Sequence, residues 1–278
     1  MRIAHGPPSR TPAALLRSTF GHEPLLAGAA MVIALSLVVT GPAFLLDARQ
    51  FQGENVWLKP IKFQVALVVY LATLAAFARW LPAGVVHRRW YRPFSAAVVT
   101  AVVAELLWIG GAAMFGMASH YNRTTPFMAR IYPVMGALAV LLTSASLVYG
   151  IAIARNPDTG LRPSLKLAVA LGLVLTFVLT VPAAAILSSL PGHGIGAAGT
   201  GARIPVLGWS REAGDLRVAH FLASHALHIL PLAGLLIAAV APDRIAKAGV
   251  WLTGATLAGA VAFAVVQALS GSPFIPVT

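Results

Sequence analysis

Apolar residues run along this chain in seven long blocks separated by short polar ones, at about 24–46, 60–82, 94–118, 128–154, 165–190, 217–241 and 246–269. Each block is close to the ~20 residues that a helix needs to cross ~30 Å of hydrocarbon. The pattern predicts an all-α polytopic membrane protein, with seven transmembrane helices forming one bundle and one domain over 1–278. The first block is too long for a signal-peptide core, and no small-residue cleavage site follows it, so it is expected to remain as a span.

Polar residues inside these blocks are few, and they narrow the search for a site. The block at 217–241 carries His220, His225 and His228 in its first half. On a straight helix turning ~100° per residue their rings fall within an arc of ~140°. Ionisable side chains within a span are costly and usually face a protein interior or a water-filled cavity. Glu105 is the other deep ionisable residue. At ~1.5 Å per residue it lies roughly 20 Å below the end of the third span, and His228 about 16 Å below the start of the sixth. If those spans are neighbours, the two side chains can meet.

Three polar patches share the same predicted side. Trp57-Leu58-Lys59-Pro60-Ile61-Lys62-Phe63 opens the second span, Ser119-His120-Tyr121-Asn122-Arg123 closes the third, and Gly214-Asp215-Leu216-Arg217 opens the sixth. Two layers follow: an outer one of His120, His220, Lys59, Lys62, Asp215 and Arg217, and a deeper one of Glu105, His225 and His228. The bland alternatives are specific too. Lys59 and Lys62 can snorkel beside a Trp57 anchor. Asp215 and Arg217 can cap the sixth helix. Ser144, Ser146, Thr176 and Thr180 can bond to backbone or join helices. Pro182 and Pro231 are expected to kink their helices.

Composition agrees with the pattern: 58% of residues are hydrophobic and 10% charged, against about 25% charged in soluble domains. The chain has no cysteine, which excludes disulfides, thiolate metal sites and cysteine nucleophiles. Its formal charge of +12 argues for topology signals rather than nucleic acid, because the basic residues sit in short loops between spans. Arg2, Arg10, Arg17, Arg79, Arg88, Arg89, Arg92, Arg155, Arg162, Lys166, Arg244 and Lys247 fall on the N-terminal side. By the positive-inside rule that side is cytoplasmic, with 1–23 as a cytoplasmic segment and the C-terminus in the periplasm. The long segment 191–216 is rich in glycine and proline. It is expected to face outward, as a lid or as a flexible connector.

The three patches resemble those of bacterial multi-pass inner-membrane proteins with similar Trp-x-Lys-Pro-x-Lys-Phe, Ser-His-aromatic-Asn and Asp-Leu-Arg-x-x-His-Phe segments. That resemblance covers most of the chain and implies location, not activity. Microbial rhodopsins need a lysine in the seventh span, and 248–269 contains none. The zinc-dependent ceramidase and progestin-receptor-like hydrolases carry a His-x-x-x-His pair, whereas here the spacing is His225-x-x-His228.

The residues therefore predict a metal ion or haem bound through His225 and His228. Glu105 would be a further ligand or proton acceptor, and His120 and His220 would serve an outer cofactor site or proton entry. Lys59, Lys62 and Arg217 would orient a small ligand, anionic or lipophilic, with Glu105, Lys62 and Asp215 as the candidate catalytic residues. A redox or metal-dependent membrane enzyme is the first expectation. A proton-coupled carrier of a small anion and a non-catalytic assembly subunit are the alternatives. The bilayer is the expected partner, nucleic acid is not, and the protein partner is open.

Overall fold

The computed structural model describes residues 19–196 and 200–276. The basic residues Arg2, Arg10 and Arg17, and most of the 1–23 segment, lie outside the described residues. Among the described residues six helices are long and apolar enough to cross a membrane, and a bent pair makes a seventh if it is counted as one span. Their order follows the predicted blocks. Contacts cluster in two compact units, Met1–Met117 and Ala118–Thr278, each with its own core.

The first unit holds α1 (Pro24–Leu46), α2 (Leu58–Phe77) and α3 (Tyr91–Met114), with α1 packed on α2 and both on α3. Leu26, Ile33, Leu71, Leu74, Val98 and Ile109 are buried there, while Val38, Val39 and Leu107 point outward, as lipid-facing positions do. Between α1 and α2 the chain makes a hairpin of β1 (Gln50–Phe51) and β2 (Glu54–Asn55). Gln52 and Gly53 both have positive φ, 53° and 80°, as a tight hairpin turn requires.

A polar knot joins the helix ends beside this hairpin. The Asp47 carboxylate accepts from Arg49 and from the Trp57 indole N–H at 2.9 Å. Arg49 also donates to the Met114 carbonyl at 2.9 Å, satisfying an acceptor that the end of α3 leaves open. Asn55 donates to the Asp47 carbonyl at 2.7 Å and receives the Trp57 N–H at 2.8 Å. Within the span, Gln64 bridges α2 to α1, accepting from Thr40 at 2.8 Å and donating to Ser36 at 2.7 Å.

In the second unit α5 (Pro163–Ser189) is central. It packs against α4 (Pro126–Arg155), α6 (Arg217–Ser224), α7 (Ala226–Val240) and α8 (Asp243–Leu269). Thr125 caps α4, its hydroxyl accepting from Met128 N at 3.2 Å, with Pro126 at the first helical position, where a missing N–H costs nothing. Asp243 accepts from the Ser164 N–H at 2.9 Å at the start of α5. Arg162 donates to the Ala238 carbonyl in the last turn of α7. These two charged residues therefore satisfy helix ends.

The expected straight helix over 217–241 is corrected. It is two helices, α6 and α7, bent by 50° at His225. The arc and depth expected for the three histidines belong to an unbroken helix. The cause is local: the Phe221 carbonyl accepts from the His225 N–H at 3.1 Å, the Ser224 hydroxyl at 3.0 Å and the His225 ring at 2.7 Å. Side-chain donors that return to a helix carbonyl compete with the backbone ladder and bend it.

The described residues of segment 191–216 make several internal contacts. β3 (Gly194–Ile195) pairs antiparallel with β4 (Gly214–Asp215), and Arg203 bridges to Ser210. Glu212 accepts from Thr200 N, Thr200 Oγ1, Gly201 N and Ala202 N, and the Thr200 bonds foremost hold its carboxyl below the usual range. Gly214 lies so close to the Ala268 carbonyl, near the end of α8, that a Cβ would collide with it.

Candidate functional site

The second unit contains a column of rings. Trp209, from the 191–216 segment, meets Phe221 edge-on at 5.2 Å between centroids. Phe221 stacks on His225 at 3.9 Å, and His225 faces His228 at 5.8 Å, tilted by 55°. The helix break places these rings, since Phe221 belongs to α6, His228 to α7 and His225 to the corner between them. His220, Trp209 and Phe221 were not linked by spacing alone. The usable signal was Phe221 four residues before His225, one helical turn away.

Each histidine has a distinct setting. The His225 Nδ1 lies 2.7 Å from the Phe221 carbonyl. A carbonyl only accepts, so Nδ1 carries a proton in this contact and Nε2 is the nitrogen left to gain or lose one. The Nδ1 of His220 is buried with no hydrogen-bond partner among the described residues. His225 lies within electrostatic range of both His220 and His228.

Above the column, Asp215 is the anchor. Its carboxylate is 2% exposed. It accepts from Ser210 N at 3.0 Å, Arg217 N at 3.0 Å and the Arg217 guanidinium at 2.9 and 2.6 Å, and His193 Nδ1 stands 3.7 Å away. Burial alone would raise its carboxyl, but the bonds and charge of Arg217 hold it below the usual value. Asp215 and Arg217 thus form a two-residue clamp at the start of α6. Arg217 and His193, with Arg203 and Ser210, line a cavity of about 180 Å³ in the folded segment.

His120 belongs to the same unit. Its Nδ1 is 3.0 Å from Ser119 Oγ and its ring meets Tyr132 at 6.1 Å. Tyr121 holds a positive φ of 59°. Its hydroxyl donates to the Leu187 carbonyl at 3.0 Å, and burial raises its phenol well above the usual range. Arg217 and Asp215 lie within electrostatic range of Tyr121. His193, Tyr132 and Arg203 join this group although no motif marked them.

The remaining predicted residues lie in the first unit. Glu105 is 4% exposed, and its Oε1 is buried with no hydrogen-bond partner among the described residues. Lys59 is within electrostatic range of it and also lies 5.9 Å from the Phe63 ring centroid. Lys62 pairs with Glu54 at 3.9 Å. Pro60 sits in the first turn of α2, where a missing N–H is harmless.

Among the described residues no three His, Asp or Glu side chains gather as a ligand group. His225 and His228 offer two nitrogen donors, which is half of a tetrahedral set. The His225 bond from Nδ1 to a backbone carbonyl is nonetheless the orientation that ligating histidines adopt. No family model matches this chain, and no curated protein or solved structure matches it either.

Proposed function

We propose that the chain is a bacterial inner-membrane protein, N-terminus cytoplasmic, that carries a small anionic solute coupled to proton movement at the broken sixth span. The observation that carries this reading is the 50° break at His225 with three histidines around it. Irregular backbone at membrane depth is tolerated where it is buried in protein or lines a cavity, and interrupted helices mark the binding sites of carriers. A neutral His225, with Nδ1 committed to Phe221, takes a proton on Nε2 and returns it there. His228 is the next imidazole along the column, and His220 the one on the side toward the folded segment. Glu105 is a proton acceptor near Lys59. Arg217, Arg203 and His193 make the cavity favourable to an anion.

Proteoliposomes holding the full chain and an internal pH dye test this reading against phosphate, sulfate and short carboxylates. At least one anion is expected to accelerate proton movement over empty vesicles, and H225A plus H228A to remove that acceleration. Wild-type flux equal to that of empty vesicles for every anion sinks it. A second reading rests on the His225 Nδ1–carbonyl bond: a metal ion or haem held by His225 and His228. A Soret band or a stoichiometric metal that disappears in the double variant moves the assignment to a redox or metal-dependent enzyme. A colourless, metal-free and flux-silent protein is left with an assembly role.

A further inference from the structure

The break in the sixth span exposes backbone groups that a continuous helix would use internally. The first N–H groups of any helix lack intrahelical partners, and in hydrocarbon each unsatisfied group costs several kcal/mol. The Leu227 N–H, in the first turn of α7, is satisfied from another helix. It donates to Thr176 Oγ1 on α5 at 2.8 Å. The same hydroxyl donates to the Gly172 carbonyl one turn earlier at 2.9 Å. Its proton is thereby spent within α5 and its lone pair is presented to α7. Among apolar-sized side chains only a hydroxyl can donate and accept at once.

Gly172 supplies the second half of the contact. A Cβ there would lie 2.8 Å from the Ala226 carbonyl, 3.1 Å from the Pro231 ring and 3.2 Å from Leu230 Cβ. Ala226 and Leu227 directly follow the corner residue His225, so Gly172 and Thr176, one turn apart on α5, grip consecutive residues of the junction. Thr180, one turn further along α5, has a buried hydroxyl oxygen with no partner among the described residues. The clamp therefore belongs to Thr176 itself and is not a general property of hydroxyls on this helix.

We propose that Thr176, seated by Gly172, is the positioning residue of the histidine site, holding α7 at its angle to α6 and so fixing His225 against His228. This rests on the reading that the histidines are functional, but the clamp has a readout of its own. Amide hydrogen exchange on the full chain in nanodiscs reads the Leu227 N–H. Histidine-labelled NMR reads the pH at which the rings titrate. In the wild type Leu227 is expected to be protected despite its place in a first helical turn. T176V is expected to exchange there roughly tenfold faster and to move the ring titration midpoints, and T176S to restore both. An unprotected wild-type Leu227 overturns the clamp, whatever the variants do. T176V with unchanged exchange and unchanged titration overturns it as well. If T176V does not fold, T176S and the wild type still decide, because T176S must keep Leu227 protected. Wild-type flux that is absent while the exchange pattern holds removes the carrier reading and leaves the clamp standing.

Discussion

The bent pair α6–α7 and its neighbour α8 are both apolar and both pack on α5, yet one is broken and the other runs unbroken over Asp243–Leu269. Proline does not explain the difference. Pro42, Pro133 and Pro182 lie inside α1, α4 and α5, all continuous helices, and Pro231 lies inside α7, six residues past the corner. A break forms where side chains draw on the same carbonyl as the backbone and a neighbouring helix receives the freed N–H. At Phe221 and Leu227 both conditions are met, by Ser224 and His225 on one side and Thr176 on the other.

The largest expected effect comes from the clamp that starts α6. D215N leaves the partly exposed Arg217 beside a neutral, buried amide, and breaking such a pair costs about 3 kcal/mol. Thermal unfolding at neutral pH checks this. The pH dependence has a definite sign. The Asp215 carboxyl is lowered from its ordinary 3.8, so its contribution is complete above that value and is lost as pH falls through the folded value. The variant is expected to lose that acid-side dependence, and a wild type whose stability is flat in that range contradicts the assignment.

Gly214→Ala comes next. The added methyl meets the Ala268 carbonyl, and such overpacking costs about 2 kcal/mol. Denaturation midpoints read it, together with limited proteolysis, which should begin within the 191–216 segment. A variant as resistant as the wild type removes the docking of that segment on α8.

Ser224→Ala removes one donor from the Phe221 carbonyl while His225 keeps two. The break should persist, with a stability change of about 0.5 kcal/mol. Smallest in its effect on the break is Pro231→Ala, with a change of about 1 kcal/mol in either direction and Leu227 still protected. If Pro231→Ala instead straightens the span, so that Leu227 exchange no longer depends on Thr176, proline causes the break after all.

Much of the architecture was legible in the chain because span length and apolarity are local properties. The helix blocks, the capping alternative for Asp215 and Arg217, and the bonding of Thr176 to backbone all follow from residue type and neighbours. The internal contacts of 191–216 were not legible, because Glu212 reaches back to Thr200, Gly201 and Ala202. Charge counting read Arg162 as a loop charge, whereas the fold uses it on a helix end 76 residues away.

The sequence by itself determined that this chain is helical and suited to a membrane, that it holds no thiol chemistry, and that its ionisable residues concentrate on a few segments. Those conclusions need only the hydrophobic length of a span and the cost of burying charge. Tertiary structure decided that the 217–241 block breaks at a histidine rather than at its proline. It also decided that His225 commits Nδ1 to the Phe221 carbonyl with its ring 5.8 Å from that of His228, and that Trp209 and Phe221 complete the column. The reason is physical: a backbone N–H in a membrane helix leaves its ladder only where another helix can accept it, and no spacing along one segment reveals that Thr176 stands opposite Leu227.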